Sequence, residues 1–300
     1  MFTFQDVLER AEICPKDVNI MLHSPRSGGL QEHLPGLVRT RRKAMETYQA
    51  YHRANGPAER ALSQGRPYVA SFVKTGVGSD QGTSAMLFTG LYLNDGGTMR
   101  PRGEIETDPE VQWMHQTFGT FDELKVPGWT QWKWFDFQLI DELRSLQGRL
   151  VIQVRLTQSY VRLAENLDAP ILAIHQESRF DVPPPPWQHM SLNAGLLQAL
   201  PERWRVALRE WRGVYLILDE TDGQRYVGSA YGKENLLGRW CQHVASEVGV
   251  TAALKLRDPR NFRFSILERV SPDMVVEDVV AIKNSWKKRL HTRDFGLNEN

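Results

Sequence analysis

Cysteine is nearly missing from this chain: Cys14 and Cys241 are all there is, too few for a disulfide framework or a thiolate zinc site, and the reading is a reducing cytoplasm. A dominant charge is missing too. Lys and Arg number 37 and Asp and Glu 36, a net charge of +1, which argues against indiscriminate polyanion binding. Long apolar runs are absent as well. The longest, Met86–Leu93, is interrupted by Thr89 and Gly90 and falls far short of the roughly 18 residues of a membrane span. Met1-Phe2-Thr3-Phe4-Gln5-Asp6 lacks the basic then apolar build of a signal peptide, so the expectation is a cytoplasmic protein with no membrane partner.

What is present fits a two-domain α+β protein. The 300 residues are 41% apolar and 24% charged, enough to bury a sizeable core. The clearest punctuation is Asp181-Val182-Pro183-Pro184-Pro185-Pro186-Trp187, because four prolines neither continue a helix nor donate to a ladder. This divides the chain into a first domain at 1–182, a proline spacer with a linking helix at 183–212, and a second domain at 213–300.

The first domain reads as mixed α/β. Strands are expected at Tyr68–Lys74, Ala85–Asn94, Arg149–Leu156 and Ile171–His175, in a sheet forming a partly closed barrel, with helices at Phe4–Ala11 and Leu37–His52. In the second half Leu196–Glu210 reads as a helix. Gly213–Leu218 and Arg225–Gly228 form a hairpin about Thr221-Asp222-Gly223, Leu236–Val248 is a helix, and Phe262, Phe264 and Ile266 alternate as a strand. Ser271-Pro272-Asp273 is expected to open a last helix ending near Leu290, with Ser as cap, Pro at the first position and an acid against the dipole.

Chemistry gathers in that half. Gly213-Val214-Tyr215 and Tyr226-Val227-Gly228 put one tyrosine on each strand of the hairpin, and Arg239 and His243, four apart, share a helical face. A basic run follows, Lys283, Lys287, Lys288, Arg289 and Arg293, of a kind that faces either solvent or phosphate. Gly228-Ser229-Ala230-Tyr231-Gly232-Lys233-Glu234 is one residue short between its glycines for a phosphate loop and ends on Glu where Ser or Thr should bind Mg²⁺, so nucleotide hydrolysis is rejected.

These segments, with Gly238-Arg239-Trp240, Phe262–Leu267, Trp286-Lys287 and Gly296-Leu297-Asn298, resemble a GIY-YIG nuclease domain across 213–298. The resemblance implies a three-stranded sheet flanked by helices that hydrolyses DNA phosphodiesters with one Mg²⁺ or Mn²⁺ ion. It implies that Tyr215 and Tyr226 orient or deprotonate water, Arg239 holds the scissile phosphate, His243 assists proton transfer and Asn298 is an accessory polar group. Lys287, Lys288, Arg289 and Arg293 would contact DNA. A phenol with its ordinary pKa near 10 is a poor base, so the neighbouring cations are expected to favour the phenolate.

One position departs from the pattern. The metal-ligating Glu of the family, three residues before the Trp-Lys pair, falls on Lys283. An ammonium cannot ligate Mg²⁺, and at about 4 Å and an effective dielectric near 20 it repels a divalent ion by roughly 8 kcal/mol, where a carboxylate attracts it by as much. No carboxylate stands three, four or seven residues from Lys283. The expectation is a DNA endonuclease present in a catalytically impaired form, with metal binding in doubt.

The first half is similar to the N-terminal region of bacterial two-domain proteins that end in a GIY-YIG nuclease, through Ser71-Phe72-Val73, Leu87-Phe88-Thr89-Gly90-Leu91-Tyr92 and Gly148-Arg149-Leu150-Val151-Ile152. Phe88-Thr89-Gly90-Leu91-Tyr92 is also similar to a strand of small barrels that read modified bases. The resemblance implies a sensor of modified DNA joined to a cutter, as in restriction of phage DNA bearing modified cytosine. Aromatic residues crowd the stretch from Trp113 to Phe137, and Trp113, Trp129, Trp132 and Trp134 are the candidates for a pocket that stacks an extruded base. Double-stranded DNA is the expected partner. One active site per domain makes a homodimer a plausible cutter of both strands. The competing readings are a non-cleaving reader of modified DNA and a repair or recombination nuclease.

Overall fold

The computed structural model describes residues 2–25, 29–75, 82–245 and 251–298. The chain separates into two compact units, Met1–Phe180 and Asp181–Asn300. No helix among the described residues is long and apolar enough to cross a membrane.

The first unit is built on a sheet whose strands lie in the order Ile171–Ile174, Leu150–Val154, Ser84–Leu93, Tyr68–Lys74, Val18–His23 and Val161–Leu163, with Gln138–Leu139 added beside Ser84–Leu93. Its pairings are antiparallel except that Val18–His23 and Tyr68–Lys74 run parallel. A parallel pair needs a long crossover, and helices Leu30–Thr40, Arg42–Ala50 and Pro57–Leu62 lie in the connection. The sheet is an open path, which corrects the partly closed barrel expected from the sequence. Ile20, Leu22, Phe72 and Phe88 pack in one core with Phe4, while Met21, Val69 and Tyr92 join a second with Phe135 and Phe137; alternation separates Met21 from Ile20 and Leu22, and a bulge at Thr89 separates Tyr92 from Phe88.

Val18–His23 escaped the sequence reading because all six residues are buried and no polar alternation marks the strand. The helix expected over Leu37–His52 divides. The backbone leaves the helical region at Arg41 (φ −146°), and Tyr51–Arg53 departs as a strand. That strand pairs with Gln131–Trp134, which also pairs with Thr98–Pro101, making a small second sheet.

In the second unit the antiparallel order is Ser191–Asn193, Phe262–Val270, Arg212–Asp219 and Arg225–Ala230. The three expected strands are therefore joined by a fourth, which follows the prolines and pairs with Phe262–Val270. The helix expected at Leu196–Glu210 is divided into Ala194–Leu197 and Glu202–Glu210, with Pro201, which lacks an N–H to donate, as the N-cap of the second. Helix Asn235–Ala245 packs on the strands Arg212–Asp219 and Arg225–Ala230, as does helix Val276–Arg289. The remainder of the helix expected to run to Val248 lies outside the described residues. The last helix starts at Val276, with no side-chain cap, and not at Ser271-Pro272-Asp273. Those residues form a turn in which the Met274 N–H donates to the Ser271 carbonyl.

Candidate nucleic-acid site

The hairpin register sets Tyr215 opposite Gly228 and Ile217 opposite Tyr226, so the two phenols lie diagonally on one face. Gly228 is obligatory at this crossing: a Cβ there would sit inside the Tyr215 phenol. The helix Asn235–Ala245 then brings His243 to both rings. Its Nε2 is 2.7 Å from the Tyr215 hydroxyl, and its ring centre lies 5.7 Å from that of Tyr215 and 5.6 Å from that of Tyr226. Tyr215 and His243 are fully buried, and Tyr226 nearly so.

Burial controls the protonation of this trio. It raises both phenols above their ordinary pKa; Tyr226 adds to the rise of Tyr215, and Arg239 opposes the rise of each. Burial, followed by Arg239, holds His243 down to about 3. At neutral pH the site therefore contains two protonated phenols and a neutral imidazole. The expectation that nearby cations favour a phenolate fails at Tyr215, because desolvation outweighs the pull of Arg239. The neutral imidazole has a lone pair to offer, but the burial that keeps it neutral makes it a weak base, and its Nδ1 is buried with no hydrogen-bond partner.

Beside the trio lies a cluster of positive charge. Lys283, half-buried on the last helix, has its pKa lowered by burial, then by Arg239 and Arg293. Lys287, one turn further, is 7% exposed and lowered by burial, Lys283 and Arg293. No carboxylate is among the groups that shift either ammonium. Arg239 donates to Gln242 Oε1 at 2.9 Å and also bonds the Tyr215 hydroxyl. The basic run of the sequence is thereby divided. Lys283, Lys287 and Arg293 join Arg239, whereas Lys288 is exposed elsewhere on the helix and Arg289 lies 4.0 Å over the ring of Trp286, whose Nε1 donates to Glu268.

These residues do not suit a Mg²⁺ or Mn²⁺ ion. Such ions take carboxylate and carbonyl oxygens, and the donors here are two phenols, a neutral imidazole and four cations. Among the described residues no group of three or more His, Cys, Asp or Glu side chains is placed to hold a metal. Asn298 holds the hairpin. Its Oδ1 accepts from the Val227 N–H at 2.9 Å and from Thr292 Oγ1 at 2.6 Å, and its Nδ2 donates to the Val227 carbonyl at 3.0 Å, fixing the residue next to Tyr226.

In the first unit the four tryptophan candidates part company. Trp113 is buried in helix Pro109–Phe118 against Phe118, under the Arg41 guanidinium that pairs with Glu110. Trp134 is buried in the small sheet under Arg100. Neither lines a described cavity. Trp129 and Trp132 lie edge to face at 5.8 Å and both line one. Sequence reasoning missed the residues that complete it, among them Tyr51, Glu123 and Tyr160, because nothing in their spacing links them.

No family model matches the chain, and neither does any curated protein. Two solved structures are similar to it. The catalytic domain of the intron endonuclease I-TevI, in a mutant form, is 24% identical with a TM-score of 0.26 and covers 30% of this chain and 94% of that one. The catalytic domain of the homing endonuclease I-TevI is 26% identical with a TM-score of 0.24, covering 29% and 96%.

Proposed function

We propose that the second unit engages the phosphodiester backbone of double-stranded DNA at a site of the GIY-YIG nuclease type, and that Lys283 keeps this chain in a cleavage-impaired form. The observation that carries the reading is the convergence of Arg239, Lys283, Lys287 and Arg293 beside the Tyr215–His243 pair. A backbone phosphate offers two charged oxygens, which a guanidinium meets as a fork and an ammonium as a point charge. Partial burial of Lys283 strengthens that attraction. His243 is hydrogen-bonded to the Tyr215 hydroxyl, but burial and Arg239 make it a weak base, and in this reading it takes a proton only once the charge of a bound phosphate lies beside it. What is missing is a holder for Mg²⁺ or Mn²⁺, and no step is assigned to a metal.

In this reading the first unit selects the target, since phosphate contacts position a protein without specifying sequence. Modified cytosine in phage DNA is the proposed target and restriction the proposed role, with a second copy of the chain needed to cut the other strand. The cation cluster also favours a second reading, a non-cleaving reader of modified DNA, because Lys283 adds charge for binding while removing the metal ligand.

The test is cleavage by the protein and by Lys283→Glu, with Mg²⁺ or Mn²⁺, of plain DNA and of DNA carrying hydroxymethylated or glucosylated cytosine. Nicking by Lys283→Glu alone, with preference for modified DNA, is the expected result. Equal cutting of plain and modified DNA would refute the target assignment. Folded Lys283→Glu that binds but never cuts would leave the non-cleaving reader, and absence of DNA binding by either protein at low salt would refute both.

A further inference from the structure

The first unit contains a cavity of about 480 Å³, within the roughly 300–1,000 Å³ range of small-molecule sites. Its walls are aromatic and already fixed. Tyr160 stacks on His52 at 5.9 Å, and its hydroxyl lies 2.7 Å from Nδ1 of that ring. The other nitrogen, Nε2, faces the Gln49 carbonyl at 3.1 Å, so Nε2 carries the proton and Nδ1 accepts from Tyr160. Trp129 is half-buried, held edge to face by Trp132 and covered by the Arg53 guanidinium at 4.0 Å. Tyr51 donates to Glu123 Oε1 at 2.6 Å, which fixes an exposed carboxylate among these rings.

The cavity also has unmet polar capacity. Trp132 Nε1 is buried without a hydrogen-bond partner, in a residue 2% exposed that lines it, while His23, 5% exposed, is engaged by Gln49. Burial holds the His23 imidazole down to about 3, so it is neutral at physiological pH. An unpaired buried donor is costly, and a ligand that presents acceptors to it removes that cost. The lining thus provides flat apolar plates, a carboxylate that accepts and an indole N–H that donates.

We infer that this cavity receives a single nucleobase extruded from duplex DNA, one bearing an exocyclic amine, which is stacked between the Trp129 and Tyr160 walls and donates its amino hydrogens to Glu123. Cytosine and adenine each present an amino donor beside a ring-nitrogen acceptor, matching Glu123 with Trp132, whereas guanine presents two donors to Glu123 and leaves the Trp132 N–H without an acceptor at that edge. Thymine has no amino group: it sets O4 where the amine would lie and keeps only its single N3–H to donate, so it is disfavoured. The size of the cavity leaves room for a substituent on the ring. Arg53, exposed above Trp129, is the adjacent cation for a flanking phosphate. The inference rests on the reading of this chain as a DNA-binding protein and supplies the element that chooses its target.

Extrusion is easier where a base is unpaired, so fluorescence anisotropy of the full chain on labelled duplexes with one central mismatched cytosine, adenine or thymine, against the fully paired duplex, tests it. Unpaired cytosine or adenine should bind about tenfold or more tighter than the paired duplex, and unpaired thymine no tighter than it. Trp129→Ala and Glu123→Gln should each abolish the preference, while Trp129→Phe keeps it and affinity for the paired duplex stays within about twofold. Binding of paired duplex with no preference for any unpaired base would overturn the inference and leave the DNA-binding reading standing. Equal preference for thymine would overturn the pairing with Glu123. Free deoxycytidine monophosphate binding more tightly than the mismatched duplex would overturn the extruded source. Failure to bind any duplex would overturn both readings.

Discussion

Replacing His243 by Phe tests how dry the Tyr215–His243 site is. In the folded protein burial holds this imidazole down to about 3, against about 6.5 in an unfolded chain. Below pH 6.5 the unfolded chain takes up a proton that the folded one refuses. The stabilisation from a neutral His243 is therefore complete above pH 6.5 and is lost as pH falls from there toward 3. Between pH 7.5 and pH 5.0 the loss works out at about 2 kcal/mol. Urea unfolding of the full chain at the two pH values, for the protein and for His243→Phe, reads the difference. His23 and His52, held down to about 3 and 4 in the first unit, titrate alike in both proteins and cancel. The missing partner of the Tyr215 hydroxyl costs His243→Phe equally at both pH values and cancels too. The protein should lose about 2 kcal/mol more than the variant on acidification. An equal loss in the two would refute the burial of the imidazole and with it the neutral proton acceptor.

Gly228→Ala should cost about 1–3 kcal/mol in urea unfolding and displace Tyr215, since the added methyl has no room beside the phenol. Asn298→Ala should cost about 2–3 kcal/mol, because it removes three hydrogen bonds and strands the Val227 N–H and carbonyl. Lys283→Ala should lower the slope of log affinity for DNA against log salt by about 0.9, and Lys288→Ala should leave it unchanged, a contrast that tests the division of the basic run. Any cleavage gained by Lys283→Glu should show no step from titration of His243 between pH 5 and 8, as read from a pH–rate profile.

Local sequence determined much of the second unit. The hairpin tyrosines, the four-residue step from Arg239 to His243 and the strand through Phe262, Phe264 and Ile266 depend on periodicity and turn chemistry within a few residues of each other. The absence of a carboxylate around Lys283 could likewise be read directly, since helix geometry limits which residues share a face. The strand Tyr68–Lys74 was also legible, with the same bounds in the structure. Val18–His23 was not, because a strand buried on both faces has lost the alternation that identifies it.

Tertiary structure decided the rest. It placed Lys283 and Lys287 with Arg239 and Arg293, and it turned Lys288 and Arg289 away, although all the cations of that stretch look alike in sequence. It gave His243 its neutral charge, because desolvation depends on the whole shell around a ring and not on its neighbours in the chain. It separated Trp129 and Trp132 from Trp113 and Trp134, and it assembled the cavity from residues as far apart as His23 and Tyr160. Periodicity reports only which face of an element is apolar; which elements then meet is set by packing between distant segments, and both candidate sites of this protein lie where such segments meet.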